Sequence, residues 1–159
     1  MTVDAGPVTH AAIEHRLLTM RRSIRQLESL GPIDGKRLSD DPTTGLVLER
    51  ILALLFDLAE AVNVDAGPAT GRRRVIGSFA GSSGQSFADA ARAGVISSDL
   101  AADLALADGP VHVQLQLSLD SDPVEAAAVV TRALRDYRNY VQRVEAWLEF
   151  ETRRPSCGR

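Results

Sequence analysis

His112 is the residue of this chain best suited to proton transfer, because an imidazole titrates near neutral pH. It is the only histidine in the stretch LALADGPVHVQLQLSLDSDP, Leu104 to Pro123. Arg72, Arg73 and Arg74 form a run of cations that could hold a phosphate group. Each has a plainer reading beside the chemical one. His112 is then a polar residue that bonds a neighbour or faces water, and the arginine run is a solvated loop surface. His10 and His15 lie five residues apart, a spacing that does not bring two helical side chains to one face, so no metal pair is expected. The chain has no phosphate loop, no Gly-x-Gly-x-x-Gly and no His-Glu-x-x-His, and neither a cofactor nor a metal is expected. Trp147 reads as core or interface rather than a base-stacking platform. Cys157 is the only cysteine, which excludes an internal disulfide and a cysteine-rich metal site and fits a reducing cytoplasm.

The elements that must position these residues read as helices. Ile13, Leu17, Met20, Ile24 and Leu27 step by four and three, an apolar stripe on a helix from about Val8 to Leu30. Gly31-Pro32 stops it, and Asp34-Gly35 continues the break. Asp41-Pro42 opens a second helix that ends by Asp65-Ala66-Gly67-Pro68. Leu48, Ile51, Leu55, Leu58 and Val62 make its main stripe, while Val47, Leu52, Leu54 and Ala59 widen it. Such a helix is central or faces a second subunit. Thr70 to Gly84 reads as a glycine-rich loop holding the three arginines. Ser86 is expected to cap a short helix that Gly94 stops, and Ser97 or Ser98 to cap another through about Ala107.

Val111 to Leu119 alternates apolar and polar residues throughout, the period of an extended strand, with His112, Gln114 and Gln116 on one side. A lone strand needs a partner strand or a helix surface, so this segment stays ambiguous at the level of sequence. Asp122-Pro123 then starts a last helix with Val130, Leu134, Tyr137, Val141, Val144 and Leu148 on one stripe, ending near Phe150 or Glu151.

The 159 residues suit one domain, and few aromatics (4%) with many alanines and leucines favour packed helices. The expected fold is an all-α bundle of about five helices over residues 8–151, with a flexible 1–7, a disordered tail at 152–159 and an extended segment near 111–119. A net charge of −3 implies no strongly charged partner, so contact with nucleic acid would need a local basic patch. The opening MTVDAGPVTH has neither a basic nor an apolar region of a signal peptide, and no apolar run approaches the roughly 20 residues of a membrane span. A cytoplasmic protein without membrane contact is expected.

Four stretches in order, LVLERILALLFDLAEAV, SFADAARAGVISSDLAADLALA, VH and DPVEAAAVVTRAL, resemble the HepT-like branch of the HEPN superfamily, across roughly Leu46 to Leu148. The resemblance implies a small all-helical homodimer, a ribonuclease toxin encoded beside a nucleotidyltransferase-type antitoxin. The family motif is an arginine, a polar residue, a histidine four to six residues after the arginine, and often a tyrosine two beyond it. Aligned on His112, the arginine position falls on Ala107, the polar position on Asp108 and the tyrosine position on Gln114. His112 would then act as general base or acid on a ribose 2′-hydroxyl, with Asp108 as the one other residue carried over. Alanine cannot hold the scissile phosphate, and an aspartate beside it repels it. Arg72, Arg73 and Arg74 are the candidates for RNA binding. Arg138-Asn139 looks like the missing pair, but no histidine follows it, and it reads as helix surface. Because the motif is broken, a non-catalytic helical dimer serving as a binding or assembly module is the alternative.

Overall fold

The computed structural model describes residues 7–67, 84–105 and 109–154, and all secondary structure among them is helical. Seven α-helices follow in order: α1 Pro7–Ser29, α2 Gly35–Asp40, α3 Pro42–Ala66, α4 Gln85–Arg92, α5 Ser98–Leu104, α6 Val111–Leu119 and α7 Pro123–Arg153. None is long and apolar enough to cross a membrane. Residues 1–6, 68–83, 106–108 and 155–159 lie outside the described set, and with them Arg72, Arg73, Arg74, Ala107, Asp108 and Cys157.

The helix ends are written in side chains. Asp34 caps α2 by accepting from the Arg37 N–H at 2.8 Å. Asp41 caps α3, accepting from the Thr43 N–H at 3.2 Å and the Thr44 hydroxyl at 2.7 Å. The Thr44 hydroxyl bond, with the two backbone N–H bonds, holds the Asp41 carboxyl below its ordinary pKa. Ser97 caps α5 through the Leu100 N–H, and Asp122 caps α7 through the Glu125 N–H. At the other end of α4, Val95 N–H bonds the Ala90 carbonyl and Gly94 N–H the Ala91 carbonyl, both at 3.0 Å. That paired arrangement needs a left-handed residue, and Gly94 supplies it with φ +77°.

The α1 stripe is buried in full: Ile13, Leu17, Met20, Ile24 and Leu27. It packs against α3 and α7. Ion pairs cross from α1 to both, Arg16 with Asp65 and Arg21 with Glu145, and Arg138 of α7 returns to Glu28. At partly exposed positions such pairs contribute roughly 0–1 kcal/mol each. The core does the larger share, with Leu48, Leu52, Leu55, Val62, Tyr137, Tyr140 and Val144 all at 0% exposure.

Several expectations are corrected. The break at Asp34-Gly35 is the start of α2, a helix too short to show an apolar stripe, with Leu38 as its one buried residue. It and α6 bring the helices to seven among the described residues. The extended reading of 111–119 is overturned, because the segment is helical. Residues two apart on a helix point about 200° from each other, so the alternation spreads its apolar side chains over every face. Val111 and Leu115, four apart, are buried, and Leu117 is 70% exposed. No strand is present among the described residues to pair with it, and burial against α3 and α7 takes its place. Gln114, two residues on, therefore points away from His112, while Gln116, four residues on, stays on the same side of the helix.

Ser86 is not a cap. Gly84 holds the cap position of α4 without a side-chain bond, and Ser86 lies inside the helix. Leu52 needs no second subunit, since it sits in the chain's own core. The first helix begins at Pro7, inside the expected flexible 1–7, and the last runs to Arg153, two residues into the expected tail.

Close approaches at two glycines fix how the short helices sit. A Cβ on Gly35 would lie 3.0 Å from the Val124 backbone nitrogen and 3.1 Å from its Cα, while one on Gly45 would meet the methyls of Leu119 at 2.8 and 3.2 Å. Backbone cannot rotate away, and a leucine tip can. We therefore expect Gly35→Ala to cost about 1–3 kcal/mol. Gly45→Ala should stay within about 1 kcal/mol of the parent, since its gain in helix propensity offsets the crowding. Chemical denaturation of both variants checks this. Equal losses would show that α2 yields as easily as a side chain.

Candidate functional site

His112 is the second residue of α6. The chain enters that helix through Gly109, at φ +105°, a backbone angle that other residues rarely adopt. Pro110 follows, and its carbonyl accepts from the N–H groups of Val113 and Gln114 at 3.0 and 3.2 Å. Gln114 turns its side-chain amide back on the same entry and donates to the Gly109 carbonyl at 3.5 Å.

The His112 ring is half-buried and packs edge-on against Phe56 of α3, with centroids 5.7 Å apart. Its Nδ1 is buried and has no hydrogen-bond partner among the described residues. A histidine poised for proton transfer has its second nitrogen held by a hydrogen bond, which fixes tautomer and orientation. Among the described residues, packing orients the ring.

The ring contact continues inward. Phe56 meets Phe87 of α4 at 5.8 Å, and Phe87 meets Tyr140 of α7 at 6.1 Å. Tyr140 is fully buried, and its hydroxyl lies 2.6 Å from Asn63 Oδ1 and 3.0 Å from the Ala59 carbonyl. Asn63 Nδ2 donates to Ser86 Oγ at 3.3 Å. Ser86 in turn hydrogen-bonds Glu60. A polar chain thus runs from α7 through α3 to α4 and back to the half-buried Glu60. Burial raises the Glu60 carboxyl above its ordinary value of 4.5, the charge of Asp57 adds to the rise, and the Ser86 bond opposes it.

Tyr137, one turn before Tyr140, is buried with its hydroxyl unpartnered among the described residues. Burial, and then the charges of Glu60, Asp57 and Asp136, push its pKa far above the usual phenol range, so it stays neutral. Both tyrosines are therefore structural at neutral pH.

Of the residues singled out by sequence, the structure places His112 and Gln114 on one short helix; Ala107, Asp108 and Arg72 to Arg74 fall outside the described residues. Arg138 is exposed and paired with Glu28 at 2.8 Å, as a surface residue should be. Trp147 packs on the core with His10 against its edge at 6.4 Å, and His15 is exposed. The Tyr140–Asn63–Ser86–Glu60 chain was not read from sequence. Its trace was there: Asn63 follows Phe56 and Ala59 at helical spacing on an otherwise apolar face, and a polar residue so placed needs a buried partner.

Two consequences are measurable. Tyr140→Phe strands the buried Asn63 oxygen and should cost about 1–3 kcal/mol, whereas Tyr137→Phe removes an unpartnered hydroxyl and should be neutral or stabilising by about 1 kcal/mol. A larger loss in Tyr137→Phe than in Tyr140→Phe, measured by denaturant unfolding, would contradict this assignment. For Glu60, the raised folded pKa means that the neutral form suits the fold, and stability is lost as pH rises through that pKa. Glu60→Gln should match the parent in thermal melts at acid pH below 4.5 and melt progressively higher than the parent as pH rises to neutrality. A gap that shrinks toward neutral pH would reverse the sign. No protein family matches the chain, and no curated protein matches it.

Proposed function

We propose that this chain is a HepT-like protein of the HEPN superfamily, a toxin-type ribonuclease component of a toxin–antitoxin pair whose catalytic site has degenerated. The all-helical architecture supports the reading, as does the order of its resembling stretches along α3, α4, α5, the entry to α6, and α7. The observation that carries it is the placement of His112, second residue of a helix entered through Gly109-Pro110, with its ring lodged on Phe56.

In an intact site of this kind the histidine moves the 2′-hydroxyl proton and the arginine stabilises the charge developing on the scissile phosphate. With alanine at 107 the second task has no side chain, and Asp108 adds repulsion. Gln114 has no phenol for an antitoxin to modify, and its amide is engaged with Gly109. The Nδ1, which has no partner among the described residues, favours a second reading, in which the bundle persists as a non-catalytic dimer for binding or assembly. The partners of this proposal are a second copy, a nucleotidyltransferase-type antitoxin from the adjacent gene, and RNA met by Arg72, Arg73 and Arg74.

An RNA cleavage assay on the parent, His112→Ala and Ala107→Arg tests it. The parent and His112→Ala should be equally weak, and Ala107→Arg should gain activity, up to the order of 100- to 1000-fold that such a stabiliser provides. Robust parental cleavage abolished by His112→Ala would falsify the degenerate site. Three inert proteins would leave the binding module as the better account.

A further inference from the structure

The side of α3 that faces solvent has an unusual make-up. Leu46, Arg50, Ala53, Asp57 and Ala61 step by four, three, four and four residues, one helical stripe, with Leu54 beside it. Leu46 is 65% exposed and Leu54 42%. Arg50 and Asp57, the two charges of this stripe, are exposed, and neither has an ion-pair partner among the described residues. Scattered exposed leucines are ordinary; an apolar stripe carrying one cation and one anion two turns apart is a pattern that can pair with itself.

We infer that this face of α3 binds a second copy of the chain, with the two α3 helices antiparallel across a two-fold axis between Ala53 and Leu54. This gives an interface to the homodimer of the reading above and rests on that part of it. In this single register every member of the stripe meets its complement. Arg50 faces the partner's Asp57, and the symmetry makes that ion pair twice. Leu46 lies on the partner's Ala61, and Leu54 on the partner's Ala53, large against small at each contact. Alanine at the axis lets the helices approach to the lower end of the usual 8–10 Å separation. A slip of one turn either way sets Arg50 against Ala53 or Ala61 and buries its charge unpaired, which disfavours the alternatives.

The test is charge exchange, read by light scattering on the full chain. The parent should show twice its 17.1 kDa mass at micromolar concentration. Arg50→Glu and Asp57→Arg should each weaken the dimer at least about tenfold, since each sets like charges together twice. The double variant should restore it. An equimolar mixture of the two single variants should form the dimer that neither forms alone. Ala53→Arg, which crowds two like charges at the axis without touching the pair, should give monomer as well. A parental dimer indifferent to all of these changes overturns this interface while the homodimer stands. A parental monomer at every accessible concentration overturns both. Dissociation that neither the double variant nor the mixture repairs overturns the register. The RNA assay is independent of each result.

Discussion

Tyr140 carries a hydroxyl into the closed core, and the bundle is arranged around satisfying it. Its acceptors, the Ala59 carbonyl and Asn63 Oδ1, both belong to α3. A buried hydroxyl left unpaired is costly, so the rotation of α7 against α3 is fixed far more narrowly than apolar packing would fix it. Asn63 passes the constraint to α4 through Ser86, and the Phe87 ring next to Ser86 lies against Tyr140. Phe56 then passes the position of that cluster outward to His112. The candidate site is thus an outer member of a network whose inner member is a tyrosine.

Much of the frame was legible because helix stripes and caps are local signals. The stripe of α1, the caps at Asp41, Ser97 and Asp122, and the stop at Gly94 all rest on residues within four positions of each other. The errors arose where local and distant preferences diverge. Val111 to Leu119 has the alternation of a strand, yet among the described residues there is no strand to join and two helices offer surfaces to bury against, so tertiary contact overrode the pattern. Helix α2 has six residues, fewer than two turns, and its sequence cannot repeat a stripe. Ser86 has the type of a cap residue, but Asn63, far away in sequence, uses its hydroxyl.

The site was legible only as a residue, not as an environment. A histidine after Gly-Pro marks itself, and its phenylalanine neighbour, on a helix more than fifty residues away, does not. The same holds for Glu60, whose exposed-looking carboxylate type conceals partial burial and a bond to Ser86. What the bundle does and what it descends from are separate questions, because one helical fold carries many roles and the chemistry lives in a few side chains.

Helix α6 is held in place by two glycines for unlike reasons. A Cβ on Gly109 would meet nothing among the described residues, and this glycine is bound by its backbone angle, whereas Gly45 has an ordinary helical backbone and is bound by the leucine pressed on it. Gly109 precedes the helix that carries His112, and Gly45 meets Leu119, that helix's last residue. A change at Gly109 would alter the entry to α6, and with it the position of the imidazole, with no motif residue touched. The placement of a side chain thus depends on a residue outside any motif, and inspection of motif residues alone does not report it.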